Sequence, residues 1–209
     1  MSLTEVSVCV MLGLISGSVP WSIVSAKLVG GKDVRSVGDG NPGATNAWIV
    51  AGWYVGLCSM ILDIGKAMLP VWWALRYLSS PVTSVEHALM AVVAISPVIG
   101  HGWSPILKFR GGKALASSWG SWIALTQGLA FPVAAIFLGV IHMFQKNHAL
   151  TVTFAVGGLM VVSGILFREQ YIVMFGVADL LIVLLKHRQE YSKGFIVRDW
   201  LKQFGGGHA

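Results

Sequence analysis

In this chain of 209 residues 55% of the side chains are hydrophobic and only 11% are charged, and the mean hydropathy is +0.72. That is more apolar surface than one water-soluble core can cover, so soluble classes are excluded and an all-α polytopic membrane protein is predicted. The net charge of +6 would suit nucleic acid, but the cations gather beside glycines at the ends of apolar runs, where phosphates and membrane lipid headgroups are nearer; no nucleic acid partner is expected.

A membrane-crossing helix needs about 17 to 25 apolar residues. In chain order the runs 5–28, 52–78, 86–103, 114–128, 129–145, 149–167 and 170–186 approach that length, predicting about seven transmembrane helices, with the fourth and fifth short and meeting at Gly128. The first run has no basic stretch ahead of it and passes through Gly17-Ser18-Val19-Pro20 without a following mature domain, so it reads as a retained helix rather than a cleaved signal. Gly13 with Gly17, and Gly52 with Gly56, have the four-residue spacing that lets membrane helices approach closely. Asp63 and Lys66 fall three apart in the second run, where they neutralise each other or serve a site. His142 and Asp179 read as intramembrane packing residues, Cys9 and Cys58 as apolar fillers, and most of the nine tryptophans as interfacial anchors. Residues 1–204 form one domain, and 205–209 a flexible tail.

Placing the N-terminus outside puts Lys27, Lys32, Arg35, Lys108, Arg110, Lys113, Lys146, Lys186, Arg188, Lys193, Arg198 and Lys202 on the inner side, against Arg76 and Arg168 outside. By the positive-inside rule the polar loops face the cytoplasm.

Those loops carry the chemistry. Gly38-Asp39-Gly40-Asn41-Pro42-Gly43 satisfies a dinucleotide-binding spacing, but an apolar helix precedes it instead of a strand, which excludes that reading. Gly112-Lys113 resembles the end of a nucleotide-triphosphate loop, yet Ala114 stands where a hydroxyl residue is required. What remains is physical: glycines permit left-handed backbone and close approach, so Gly111, Gly112 and Lys113 ahead of a helix can gather an anion. No metal cluster, cofactor motif or nucleophile elbow is present in the sequence.

Ser16-Gly17-Ser18-Val19-Pro20 with Lys32 to Asn46, then Gly100-His101-Gly102-Trp103 with Phe109-Arg110-Gly111-Gly112-Lys113, then Lys186-His187-Arg188 with Gly194, resemble in order and spacing the three motifs of the bacterial acyl-phosphate:glycerol-3-phosphate acyltransferases. The resemblance implies a multi-pass enzyme of the bacterial cytoplasmic membrane. Such an enzyme moves a fatty acyl group from acyl phosphate to glycerol 3-phosphate, giving lysophosphatidic acid for phospholipid biosynthesis, without a cofactor. It implies catalytic roles for Lys113 and His187, and substrate binding by Asp39, Asn41, Gly43, Ala44, Thr45, Asn46, His101, Gly111, Gly112 and Arg188. Asp39, Ile49, Ala149 and Glu190 stand where that family usually has Ser, Arg, Ser and Asn. These departures predict a weakened or altered acceptor, the alternatives being another acceptor or a non-catalytic lipid-binding subunit.

Overall fold

The computed structural model describes residues 1–30 and 32–201. The tail 205–209 and Lys202 lie outside the described residues. Nine helices follow in order among those described: α1 Leu3–Ser18, α2 Trp21–Gly30, α3 Ala44–Ala51, α4 Trp53–Tyr77, α5 Ser84–Gly102, α6 Leu115–Leu125, α7 Ala130–Phe144, α8 His148–Phe167 and α9 Gln170–Lys186. Leu3–Gly30, Trp53–Tyr77, Ser84–Leu107 and His148–Phe167 are long and apolar enough to cross a membrane. Each predicted run is helical at its core, but α6 has 11 residues, α7 15 and α9 17. At 1.5 Å per residue α6 reaches about 16 Å, roughly half a hydrocarbon core.

Two departures from a simple seven-run picture, and the break predicted near Gly128, have local causes. Pro20 interrupts the first run because it offers no N–H to continue α1, and the chain restarts as α2. The fourth and fifth runs separate where Gln127 and Gly128 adopt φ of 53° and 93°. There the Thr126 hydroxyl donates to Trp122 O at 2.7 Å and accepts the Ala130 N–H at 2.9 Å, joining α6 to α7. The second departure is α3, which begins inside the first polar loop after Gly43 and stops at Gly52, where φ is 94°.

Large side chains such as Ile15, Ile61, Phe131, Ile136, Ile165 and Leu185 are exposed, as an envelope facing lipid requires. Inside, small residues let backbones touch: a Cβ on Gly17 would strike Pro97 of α5, and one on Gly100 would strike the Leu14 carbonyl. Gly13 packs on Ser96 in the same seam, whereas Gly56 packs on Trp48 of the neighbouring α3. Pro97 in α5 and Pro70 in α4 lie beyond the first turn of their helices, and each leaves the carbonyl four residues earlier without its helical partner. Serines take both: Ser96 Oγ donates to Val93 O at 2.8 Å, and Ser16 Oγ to Lys66 O at 2.7 Å. Asp179 is wholly buried on α9, accepting from Ser118 Oγ at 2.6 Å and Trp122 Nε1 at 2.9 Å, so it joins α9 to α6. Trp122 thus belongs to the core, while Trp48 and Trp53 are exposed near helix ends. His142 is exposed in the last turn of α7, where its ring meets Arg198; it is not the intramembrane packing residue predicted.

Candidate functional site

Three chain segments leave the helices at one end of the bundle and meet. The first is the 32–43 loop between α2 and α3. Asp33 caps a single turn over Val34–Ser36 and pairs with Arg35 at 2.7 Å, seating Val34 in a small core with Ile23, Ala47 and Val55. Beyond it Gly38 and Gly40 turn the chain with φ of 58° and 71°. The Asn46 amide on α3 reaches back to brace the loop, donating to Val37 O, Asp39 Oδ1 and Asn41 O at 2.9–3.1 Å. Ser22 of α2 ties it down through Pro42 O at 2.8 Å.

The second segment runs from α5 to α6. Lys108, Phe109 and Ala114 all adopt left-handed backbone, with φ of 52°, 62° and 66°. Conformations that side chains disfavour persist only where surroundings enforce them. Here the Ser104 carbonyl accepts from Phe109 at 2.9 Å, and the Gly112 N–H donates to His101 O at 3.2 Å. The glycines are required by space: a Cβ on Gly111 would run into the backbone of His101 and Gly102, and one on Gly112 into the His101 ring. Behind that ring lies Asp63, 3.8 Å from His101 Nδ1 and 2.7 Å from Lys66 Nζ. Lys66 also donates to Val19 O at 2.6 Å, a carbonyl at the break before Pro20. Asp63 and Lys66 therefore neutralise each other and buttress the glycine loop from inside.

The third segment follows α9. His187 is buried at the helix end, and Glu190 precedes a single turn over Tyr191–Lys193. Asn147, which caps the start of α8, fixes this segment by donating to Glu190 O at 3.1 Å and Gly194 O at 2.8 Å.

Between the three segments is a cavity of about 500 Å³. Of the residues predicted for the site, Asp39, Asn41, Gly111, Gly112, Lys113 and His187 line it. His101 and Asn46 stand behind the lining as supports. Gly43 and Ala44 start α3, and Thr45 and Arg188 are exposed; none of these four lines the cavity. Arg110, Lys186, Glu190 and Lys193 also line it, although they were not predicted as site residues. Glu190 had been legible only as a departure from a motif. Ile49, 59% exposed on α3, and the buried Ala149 lie outside the lining. Thr151, near the latter, is engaged with Gln145 and Asn147.

Lys113 is the electrostatic centre. Its ammonium pairs with Asp39 at 2.7 Å and also with Glu190, so it joins all three segments. Burial alone would lower its pKa, but the hydrogen bonds to Asp39 and Glu190 carry it above the ordinary lysine value. Burial would likewise raise both carboxyls, yet the Lys113 hydrogen bonds hold each below its ordinary value. His187 is shifted downward by burial, against the pull of Glu190, whose Oε1 lies 3.7 Å from Nδ1. The balance favours the neutral imidazole over its charged form. Lys186 donates to Gly102 O and stands 4.2 Å from the centre of the Trp103 ring. A larger groove of about 1030 Å³ adjoins, sharing Gly40, Pro42 and Arg110; one part of its wall is apolar, with Pro20, Ile23, Val24 and Leu107, and Lys27, Arg35 and Lys108 line the rest.

The bundle thus has the lipid-facing envelope of an integral membrane protein and, at one end, a charged cavity framed by glycine loops beside a groove of apolar and basic walls. Residues 7–195 match the family model for glycerol-3-phosphate acyltransferase. The chain is 31% identical over 200 residues to glycerol-3-phosphate acyltransferase 1 of Thermotoga maritima, covering 88% of this chain and 97% of that one. It is 32% identical to the glycerol-3-phosphate acyltransferase of Desulfovibrio desulfuricans, with 96% and 87% covered. Among solved structures, the integral membrane acyltransferase PlsY in its glycerol 3-phosphate form has the same fold, with a TM-score of 0.78 at 20% identity, covering 95% of this chain and 98% of that one. The chain belongs to the glycerol-3-phosphate acyltransferase family.

Proposed function

We propose that this protein transfers a fatty acyl group from acyl phosphate to the 1-hydroxyl of glycerol 3-phosphate, giving lysophosphatidic acid for phospholipid synthesis. The observation that carries the reading is Lys113, held at the meeting of three glycine-rich or basic segments in a cavity of substrate size. The apolar part of the adjoining groove accommodates the donor's hydrocarbon chain, and Gly111, Gly112 and Lys113 receive its phosphate. Acyl phosphate is a mixed anhydride and already activated. An ester bond forms between the acceptor oxygen and the carbonyl carbon as the anhydride C–O bond breaks. Inorganic phosphate leaves with the electron pair, and the hydroxyl proton is released to it. The site has to align the reactants, stabilise charge on the departing phosphate and keep water from the anhydride.

The cation asymmetry supports a bacterial cytoplasmic membrane location with this cavity facing the cytoplasm. Purified protein in detergent, given palmitoyl phosphate and glycerol 3-phosphate, should form lysophosphatidic acid, with glycerol as the control acceptor lacking phosphate. Lys113→Ala should lower turnover roughly ten- to a thousandfold, the scale for lost electrostatic stabilisers. Unchanged turnover in that variant removes Lys113 from the reaction.

A further inference from the structure

The two counter-ions of Lys113 are held in different ways. Asp39 is built into its loop: Oδ1 accepts the Asn41 N–H and the Asn46 amide, both at 3.1 Å, and Oδ2 faces Lys113 at 2.7 Å. The carboxylate of Glu190 faces Lys113 and, at 3.7 Å, His187 Nδ1, and both contacts use Oε1. Its backbone is anchored by Asn147, but its side chain has rotatable bonds with which to turn aside. Around it the lining offers what a phosphate needs: the side chains of Arg110 and Lys193 and the Gly111 backbone. A dianion reaching Lys113 meets a carboxylate already there, and two like charges on one ammonium repel.

We infer that Glu190 occupies the position on Lys113 that a substrate phosphate takes over, which makes it a specificity-determining residue that yields on binding while Asp39 stays with its loop. The inference rests on the proposed use of the cavity for a phosphate-bearing substrate. Its consequence is selective. Glu190 lowers affinity for phosphate dianions, so it acts on KM far more than on kcat.

The test uses the full chain in detergent, with inorganic phosphate as binding probe and glycerol 3-phosphate as acceptor. Glu190→Gln and Glu190→Asn should both bind phosphate on the order of tenfold more tightly than the parent, with KM for glycerol 3-phosphate falling in step and kcat nearly constant. Glu190→Asp keeps the charge but withdraws it by one methylene, and should fall between. Asp39→Asn should not tighten binding to the same degree, since it disturbs the loop it organises. Folding of each variant is checked by its thermal transition, and any one of the Glu190 variants that folds decides the matter. Phosphate affinity unchanged or weakened in folded Glu190 variants overturns the inference. Tighter phosphate binding with no acyl transfer to glycerol 3-phosphate by any form leaves Glu190's role standing and removes the proposed acceptor; normal transfer without tighter binding does the reverse.

Discussion

At the residue scale the decisive contacts are those that leave no room. A Cβ on Gly112 would press on the His101 ring, which is buried and backed by Asp63, so it cannot retreat. Gly112→Ala should lower stability by about 1–3 kcal/mol, the usual range for overpacking. Replacing His101 by Ala in the same chain opens that space, so the double variant should lose less than the sum of the singles. Gly111→Ala has no such rescue, because its Cβ meets backbone. Thermal unfolding of the four variants in detergent checks this, and a Gly112→Ala protein as stable as the parent refutes it. The residue types at these positions were legible in the sequence, and so was Lys113. The partners of Lys113 were not: Glu190 lies 77 residues further on, and no local pattern announces an ion pair formed across that separation. Arg188, adjacent to the buried His187, shows the converse limit, since a helix end turns neighbouring side chains in different directions.

At the element scale, apolar run length located the helices because lipid demands continuous apolar surface, and it located α4, α5, α8 and α9 within a few residues. It was blind to the break at Pro20, where both flanking pieces are apolar, and to α3, whose eight residues begin inside a polar loop. It also gave no sign of how α6 and α9 are joined. Asp179 accepts from both Ser118 and Trp122, and a buried donor without an acceptor costs about 1–3 kcal/mol. Asp179→Ala should therefore destabilise the bundle by at least that amount, while Asp179→Asn, which keeps one acceptor oxygen, should lose less. Thermal transitions measured side by side settle the order, and equal losses would show that the oxygen does not matter.

At the scale of the whole molecule, every segment of the cavity leaves the bundle at the same end, opposite the end where the Met1 ammonium meets Glu86 at 3.0 Å. With eleven cations at the cavity end among the described residues against two at the other, cysteines introduced near Gly40 and Arg110 should resist an impermeant reagent applied to intact cells and react once the cells are opened. Ready labelling of either from outside would invert the orientation. The cavity is also assembled from parts far apart in the chain. Lys113 acquires its Glu190 partner only after four further helices, α6 to α9, have been made. At about 5–20 residues per second, the 77 intervening residues take roughly 4–15 s to synthesise. For that interval a nascent chain already displays both glycine loops and the lysine, yet has nothing to close them. Completion of the site is thereby timed to the insertion of the final helix, so a ribosome stalled before α9 leaves a membrane-bound fragment with an unfinished cavity.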